Sequence, residues 1–282
     1  MGGDSEQDIL LEELILIDED DHSKGKIVIF TINRPDKLNA LNNSVVEAIK
    51  RASSKIISDD SIRVAIFAGA SPNKPPEGKR SKPNSFVAGA DISEFKGKKS
   101  EEIFKIFSDN CWEAVWKIEK PTIAMIDGFA LGGGCELAMS CDIRMATDRS
   151  VFGQPEINLG LIPGGGGTQR LTHLVGYGKS LELILSGKFI DAEEAYSFGL
   201  INHICSPEEL RNKTIELATT IGSKSSHTLK IAKSAVRMAL NSSIDEGIQK
   251  ELRVFSDLFD TEDKEIGVNA FLEKKTPDWK GR

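Results

Sequence analysis

The first 70 residues carry the pattern that most constrains the fold, because two apolar β-branched segments lie on either side of one helical segment. Lys26–Ile32 and Ile62–Ala68 are both typical of strands. Between them, Ser44 is a good helix N-cap with Glu47 three residues later, and apolar residues recur with helical spacing up to Ile57. The pattern predicts a strand–helix–strand unit of an α/β protein.

A polar segment over residues 71–85 interrupts this pattern. It holds four of the ten prolines and four basic residues, so it is too polar to pack into a core. We predict a surface loop there. Two interpretations stay open at this point: a solvated insertion, or a basic flap beside an anionic ligand.

The remaining patterns divide the chain into two parts. Trp112 and Trp116 are spaced as a core-packing pair within a predicted helix over Glu101–Ile118. Further predicted elements are strands at Pro121–Ile126, Ile143–Ala146 and Val151–Phe152, a helix at Cys135–Ser140, and helical segments over Gln169–Phe198. Only helices are predicted from Pro207 to Lys275. We therefore expect a core over residues 1–204, with 1–24 as an N-terminal extension, and a helical C-terminal region over 205–282.

Composition and charge exclude several classes of function. The net charge of −7 argues against an extended nucleic-acid-binding face. No apolar run approaches the ~18 residues of a membrane span. Residues 1–8 are polar and expected to be loose, and the acidic, arginine-free first 21 residues resemble neither a secretory signal nor a transit peptide. The cysteines lack CxxC or metal-ligand spacing and are expected to be reduced thiols of a cytoplasmic protein: Cys111, Cys135, Cys141 and Cys205.

Two glutamates in glycine-rich, apolar surroundings are the leading candidates for catalysis. Glu136 follows Gly132-Gly133-Gly134, which open a short apolar helix and can leave free N–H groups for an anion or oxyanion. Glu156 lies in Phe152-Gly153-Gln154-Pro155-Glu156, just before a second glycine-rich turn. Each glutamate alone is equally compatible with a structural role. As a pair in different environments, they are suited to acid and base roles.

A third segment, Val87 to Ile92, is a small-residue turn leading into a helix. It can present backbone N–H groups, or it can simply be a helix start with Asp91 as the cap. Other chemistries have no support in the sequence. Walker A, GxSxG and HExxH patterns are missing, no GxGxxG follows a strand, and the four histidines are scattered. We expect no metal and no separate cofactor.

Together these motifs resemble the enoyl-CoA hydratase/isomerase (crotonase) superfamily. The resemblance covers residues 25–282 in family order. It is carried by Asn33-Arg34-Pro35, Asn39-Ala40-Leu41, Ala88-Gly89-Ala90-Asp91-Ile92, Gly128 through Ala138, Cys141-Asp142-Ile143, Phe152 through Glu156, Gly160 through Leu171, Phe271 through Lys275 and Trp279 through Arg282. Two departures stand out. Segment 71–85 is longer than usual, and Gly165 replaces an alanine that is common in that loop.

The resemblance implies a fold and a set of site residues. The fold is a spiral of β-β-α units followed by a helical region used to form trimers or hexamers. The N–H groups of Ala90 and Gly133 would form an oxyanion hole for the thioester oxygen. Glu136 and Glu156 would hold and activate one water. Coenzyme A, as part of the substrate, would be contacted by Ala88, Ala90, Asp91, Ile92, Lys37 and Lys274.

The reaction that the resemblance implies is reversible hydration of a trans-2-enoyl-CoA to a 3-hydroxyacyl-CoA. Isomerases of the family usually lack a glutamate that matches Glu136, and this chain has both glutamates. Crotonyl-CoA hydration and dehydration of 3-hydroxypropionyl-CoA or 3-hydroxybutyryl-CoA are the same chemistry in opposite directions. Fatty-acid oxidation, polyhydroxybutyrate metabolism and carbon fixation all stay open as pathways. The rival interpretations are a family isomerase and a non-catalytic, RNA-binding family member.

Overall fold

The computed structural model describes residues 9–73 and 81–282. Ten strands are found there: β1 (Leu10–Leu16), β2 (Lys26–Ile32), β3 (Ile62–Gly69), β4 (Ser85–Val87), β5 (Thr122–Ile126), β6 (Phe129–Leu131), β7 (Ile143–Thr147), β8 (Val151–Gly153), β9 (Phe189–Asp191) and β10 (His203–Cys205). The expected looseness of residues 1–8 lies outside the described residues. No described helix is long and apolar enough to cross a membrane.

Eleven α-helices complete the described part of the chain: α1 (Asn43–Ser58), α2 (Ser100–Ser108), α3 (Cys111–Trp116), α4 (Gly133–Ser140), α5 (Gly167–Val175), α6 (Tyr177–Ser186), α7 (Ala192–Ser197), α8 (Pro207–Gly222), α9 (Ser226–Met238), α10 (Ile244–Asp257) and α11 (Glu262–Glu273). The strand–helix–strand prediction for the first 70 residues is confirmed by β2, α1 and β3. The helical character of the chain after residue 207 is confirmed by α8 to α11.

The strands form two sheets that are built from repeated units. The larger sheet has the order β1-β2-β3-β5-β7-β10, and the smaller has the order β4-β6-β8-β9. The pairs β1–β2 and β8–β9 are antiparallel, and the other pairs are parallel. In three successive β-β-α units, the first strand joins the larger sheet, the second joins the smaller sheet, and a helix follows. This is the spiral that the family resemblance implies.

The larger sheet is buried on both faces. One face belongs to the main core with α1, α3 and α4, where Ile49, Trp112 and Leu137 are buried. The other face packs against α8 through Leu210 and Ala218. The first helix after residue 205 is therefore part of the sheet's packing. The expected division of the chain at residues 204 and 205 stays a prediction.

Several predicted boundaries differ from the observed ones. Helix α1 is capped by Asn42, whose side-chain oxygen accepts from the Val45 N–H at 3.0 Å, and not by Ser44. The single helix predicted over Glu101–Ile118 is two helices, because Asn110 caps a new start. The described parts of segment 71–85 lack regular structure except for Ser85, which begins β4; residues 74–80, and with them the basic-flap interpretation, lie outside the described residues.

Five strands had no counterpart in the sequence analysis: β1, β4, β6, β9 and β10. Four of them, all except β1, contain only three residues, which is too short for a period-2 pattern to be recognised. Strand β1 carries Glu12 and Glu13, yet it pairs with β2 along its whole length. Its charged side chains lie at an edge of the larger sheet, where exposed charges discourage pairing with other molecules.

Candidate active site

Three of the predicted motifs meet at one edge of the smaller sheet. Strands β4, β6 and β8 are parallel neighbours, so their carboxyl ends lie side by side. Directly after those ends come the segments Ala88–Ile92, Gly132–Glu136 and Gln154–Glu156. Crevices beyond the carboxyl ends of parallel strands are common ligand sites. The topology therefore brings together segments that are up to about 70 residues apart in sequence.

The N–H groups of Ala90 and Gly133 are close to one another. A Cβ atom built on Gly133 would lie 3.5 Å from the Ala90 nitrogen. The preceding Gly132 N–H is occupied, because it donates to the Gly153 carbonyl at 2.9 Å. Within the part of the chain that the structure describes, the N–H groups of Ala90 and Gly133 have no backbone acceptor. Two such donors are suited to stabilise a developing oxyanion.

Glu136 lies in the first turn of α4, and every residue of this helix is buried. Its carboxylate oxygen Oε1 accepts hydrogen bonds from the Gly165 and Gly167 N–H groups, each at 2.7 Å. Burial raises the pKa of Glu136 to about 7, and the charge of Glu156 also raises it against the lowering effect of the two N–H groups. A carboxyl with this pKa exchanges protons readily near neutral pH.

Glu156 lies in a 3₁₀ helix, Pro155–Leu159, which begins with a proline immediately after Gln154. Its carboxylate stands against the start of α4, since a Cβ atom built on Gly132 would lie 2.7 Å from Glu156 Oε1. With its amide nitrogen facing this carboxylate, the buried Gln154 donates to both oxygens at 3.2 Å. Burial raises the pKa of Glu156 as well.

Trp112 is a residue of this site that the sequence analysis assigned only to the core. It is buried as predicted, but its indole N–H also donates to the Gly133 carbonyl at 2.8 Å. Its ring lies against the glycine-rich loop, where a Cβ atom on Gly165 would be 2.5 Å from the ring. The glycine at this position, in place of the common alanine, leaves room for the indole. Its partner in the predicted core pair, Trp116, is only half-buried.

The residues predicted to contact coenzyme A near β4 lie in different surroundings. The Ala88 N–H donates to the Leu38 carbonyl at 3.0 Å, so this donor is occupied. Asp91 stands at the N-cap position of a 3₁₀ helix that begins at Ile92, but its carboxylate makes no capping hydrogen bond. It forms an ion pair with Arg34 at 3.4 Å instead. Ile92 is 48% exposed and is available to a ligand.

The two predicted lysine contacts lie in different places. Lys37 is exposed and ends a short 3₁₀ helix next to Leu38, so it lies beside the Ala88–Ile92 segment. Lys274 follows α11 in a left-handed conformation, with a φ of 55°. Among the described residues, no hydrogen bond or ion pair joins the Lys274 side chain to the site. Its role as a phosphate contact stays a prediction.

No metal centre is formed by the residues that the structure describes, which contain no suitable group of three or more His, Cys, Asp or Glu side chains. All four cysteines are free and buried. Burial raises the pKa of Cys111, Cys135 and Cys141 to about 12, so these thiols stay protonated and unreactive at neutral pH. At this edge of the sheet, Glu136 and Glu156 are described carboxyls whose pKa values are raised by burial.

The raised pKa of Glu136 predicts a pH-dependent gain in stability on substitution by glutamine. The carboxyl titrates near 4.5 in the unfolded chain and near 7 in the folded one. Below pH 4.5 the carboxyl is protonated in both states, so its burial does not lower the free energy of unfolding. As the pH rises towards 7, burial of this group lowers the free energy of unfolding progressively. The full cost is about 3 kcal/mol. We expect Glu136→Gln to stabilise the protein relative to wild type at pH 8 and not at pH 4.5, as measured by urea unfolding.

The control for this experiment is Glu101→Gln, since Glu101 is exposed on α2. Its free-energy difference from wild type should stay near zero at both pH values. Glutamine retains the side-chain oxygen that accepts from the Gly165 and Gly167 N–H groups, so the substitution removes the ionisable group and keeps the acceptor. A difference between Glu136→Gln and wild type that is the same at both pH values would contradict the raised pKa.

Comparison with known proteins places these features in a family. Residues 22–282 match the model of the enoyl-CoA hydratase/isomerase family. The chain is 41% identical to a short-chain-enoyl-CoA hydratase of Clostridium acetobutylicum, covering 89% of this chain and 93% of that protein. It is 38% identical to a crotonyl-CoA hydratase of Syntrophomonas wolfei, covering 89% and 93%.

A solved structure agrees with the sequence matches. The crystal structure of enoyl-CoA hydratase subunit I from Geobacillus kaustophilus HTA426 superimposes with a TM-score of 0.86 at 35% identity, covering 99% of this chain and 100% of that one. The spiral of β-β-α units, the family model and the relatives agree along almost the whole length of the chain. This protein therefore belongs to the enoyl-CoA hydratase/isomerase family.

Proposed function

We propose that this protein is an enoyl-CoA hydratase that reversibly adds water to a trans-2-enoyl-CoA to give a 3-hydroxyacyl-CoA. The observation that carries the proposal is the grouping of Glu136 and Glu156 around the first turn of α4, beside the N–H groups of Ala90 and Gly133. These N–H donors and carboxylates do not by themselves select hydration. The relatives named short-chain-enoyl-CoA hydratase and crotonyl-CoA hydratase support this reaction and a short acyl chain.

In the proposed mechanism, the N–H groups of Ala90 and Gly133 hold the thioester oxygen and stabilise the enolate-like charge that develops on it. A single lost donor of this kind typically costs about 3 to 4 kcal/mol of transition-state stabilisation. Glu136 takes a proton from water while the water oxygen bonds to the β carbon. Glu156 gives its proton to the α carbon. Dehydration follows the same steps in reverse.

The electrostatics of the pair support two linked proton transfers, and they are the same whichever carboxyl acts as base. One water yields its hydroxyl to the β carbon and its proton to Glu136, so the next turnover needs a proton on Glu156. Burial raises the pKa of both carboxyls, and the charge of Glu156 raises that of Glu136. The two groups therefore titrate as a coupled pair, and a proton that leaves one favours binding by the other. No separate cofactor enters this scheme, because coenzyme A is part of the substrate.

We propose the Ala88–Ile92 segment as the contact for coenzyme A. Ala90 supplies an unoccupied N–H, and Ile92 supplies exposed apolar surface next to it. Lys37, which is exposed beside this segment, is the proposed phosphate contact within the chain. Lys274 remains a second proposed phosphate contact.

We further propose a trimer, or a hexamer of two trimers, formed through the C-terminal helices. An unpartnered apolar stripe runs along α10 and into the turn after it, with exposed fractions between 53% and 81%: Ile244, Ile248, Leu252, Phe255 and Phe259. The spacing of these residues places them on one helix face. Soluble monomers rarely expose a continuous apolar surface of this kind, so a second copy of the chain is its proposed occupant.

The experiment that tests the proposed reaction follows the loss of enoyl-thioester absorbance with crotonyl-CoA. We expect hydration by the wild-type protein, with acryloyl-CoA and longer enoyl-CoAs defining the chain-length preference. Movement of the double bond in 3-enoyl-CoA substrates without water uptake would instead establish an isomerase. A salt-sensitive gel shift with RNA and no turnover of either substrate would establish a binding protein.

A cytoplasmic location stays a prediction, which the four free buried thiols support.

A further inference from the structure

The glycine-rich loop that holds Glu136 needs a restraint from outside itself. Residues 164–167 are four consecutive glycines, and glycine has little conformational preference of its own. The Gly165 and Gly167 N–H groups must nevertheless both point at Glu136 Oε1. The peptide group between them consists of the Gly165 carbonyl and the Gly166 N–H. Whatever holds this central peptide also sets the directions of the two donors on either side.

Arg170 holds the central peptide. Its Nη1 donates to the Gly165 carbonyl at 2.7 Å. Gly166 adopts a left-handed conformation, with a φ of 93°, and a side chain there would overlap the Arg170 guanidinium. The other guanidinium nitrogen, Nη2, donates to Glu113 Oε1 at 2.7 Å. The planar guanidinium therefore joins the loop to α3 with two hydrogen bonds in a fixed relative geometry, which an ammonium group would not reproduce.

Arg170 belongs to a larger arrangement that reaches α9 in the C-terminal region. Its guanidinium carbon lies over the Trp116 ring, 5.1 Å from the ring centroid. The guanidinium of Arg237, on α9, lies over the same ring at 4.0 Å. Arg237 also donates to the Trp116 carbonyl at 2.5 Å and to Asp142 Oδ1 at 3.0 Å. We name Arg170, Trp116 and Arg237 the Arg–Trp–Arg cluster.

We propose that Arg170 is a positioning residue for Glu136, and that the Arg–Trp–Arg cluster couples the C-terminal helix α9 to the glycine-rich loop of the active site. The proposal rests on the proposed function for the catalytic meaning of Glu136, but its structural part does not. Each link in the cluster is a direct contact: α9 to Trp116, Trp116 to Arg170, Arg170 to the Gly165 carbonyl, and the loop donors to Glu136.

The charge distribution around the cluster supports a positioning role. Glu113 and Asp142 each pair with one of the two arginines, so neither guanidinium is left uncompensated. The charge of Arg170 also lowers the pKa of Glu136, against the larger effect of burial. Removing Arg170 therefore has two consequences for Glu136 that act in the same direction. The loop donors lose their orientation and the nearby positive charge disappears, and both changes raise the pKa of the carboxyl further.

The first test measures the rate and pH dependence of crotonyl-CoA hydration. We expect Arg170→Met to lower kcat by about 10- to 100-fold with little change in KM, because the loss concerns orientation at the reacting atoms. The pH dependence of kcat should shift to higher pH. Arg170→Lys should recover only part of the loss, since a lysine supplies the charge without the two-nitrogen geometry. Arg237→Met should lower kcat about threefold, the size of one cation–π contact.

The matched control is Arg149→Met. Arg149 also forms a close ion pair, with Asp127 at 2.7 Å, but it contacts neither Trp116 nor the loop. We expect an unchanged kcat and pH dependence for this variant. A purely structural role for Arg170 would lower thermal stability and leave the pH dependence of kcat unchanged. That result, or a wild-type rate for Arg170→Met, would overturn the proposal.

The second test needs no turnover and separates this proposal from the proposed function. The pH-dependent stability difference between wild type and Glu136→Gln reports the protonation of Glu136 directly. Measured again in the Arg170→Met background, this difference should extend to higher pH than in the wild-type background. An unchanged pH range would overturn the coupling even if the protein hydrates crotonyl-CoA. A shifted range would support the coupling even if it does not.

Discussion

Glu136→Gln and Glu156→Gln should each lower kcat for crotonyl-CoA hydration by about 100- to 10,000-fold, with much smaller changes in KM. Glutamine is close in size to glutamate. At position 136 it keeps an oxygen that can accept from the Gly165 and Gly167 N–H groups, and at position 156 it keeps an oxygen that can accept from the Gln154 amide. Each substitution therefore removes the proton-transfer group and leaves its surroundings in place. Steady-state rates from the loss of enoyl-thioester absorbance give both kinetic constants.

Controls decide whether such losses come from chemistry. The exposed Glu101→Gln should match wild type in both constants. The double variant, Glu136→Gln with Glu156→Gln, should lose little more than the worse single variant, because residues that act as one unit are not additive. If both single variants keep near wild-type rates, the two-carboxylate mechanism proposed here is wrong. A loss confined to one of them would assign the whole proton transfer to that carboxyl.

Gly134→Ala should lower kcat/KM by at least about 100-fold, because it disturbs the proposed oxyanion hole. A Cβ atom at this position would overlap the Val87 carbonyl oxygen and lie 2.7 Å from the Val87 carbonyl carbon. Val87 is the last residue of β4 and leads directly into the Ala88–Ile92 segment. Helix α4 and that segment must move apart to admit the methyl group, which separates the N–H groups of Gly133 and Ala90.

The same substitution should also cost about 1 to 3 kcal/mol of stability through overpacking, as measured by thermal unfolding. The matched control is Gly178→Ala in α6, where an added Cβ atom would meet nothing within 4 Å. This control should keep wild-type kinetics and should be no less stable than wild type. Rates for Gly134→Ala are compared at a temperature where unfolding data show the variant folded. A wild-type kcat/KM under that condition would exclude a catalytic need for close contact between α4 and β4.

How far the sequence predicted this structure depends on the length of each signal. Long apolar segments such as Lys26–Ile32 and Ile62–Gly69 are recognisable because many residues share one pattern. Strand β6 has only three residues, and its pairing with β4 and β8 arises from distant parts of the chain. The start of α1 was misplaced by two residues because Asn42 and Ser44 are both good caps, and local preference does not choose between them.

The residues of the candidate site likewise divide into those with a local sequence signal and those without one. Glu136 and Glu156 were recognisable because a carboxylate in apolar, glycine-rich sequence is unusual. Trp112 was not, because its hydrogen bond to the Gly133 carbonyl joins distant parts of the sequence. Arg170 was not, because its link to Glu113 spans 57 residues, although its bond to Gly165 is local. An aromatic residue in an amphipathic helix is most often a core residue, and Trp112 is both a core residue and a hydrogen-bond donor to the site.

By itself, the sequence determined the kind of fold, the family resemblance and the two carboxylates with their glycine-rich neighbours. These features depend on residue type and short-range spacing, which are written directly in the chain. Only the tertiary structure decided that Glu136 takes two N–H donors from residues about 30 positions away and that Arg170 joins its loop to α9 through Trp116. Burial and long-range hydrogen bonds set the proton affinity of Glu136, and both exist only once the strands have brought these segments together.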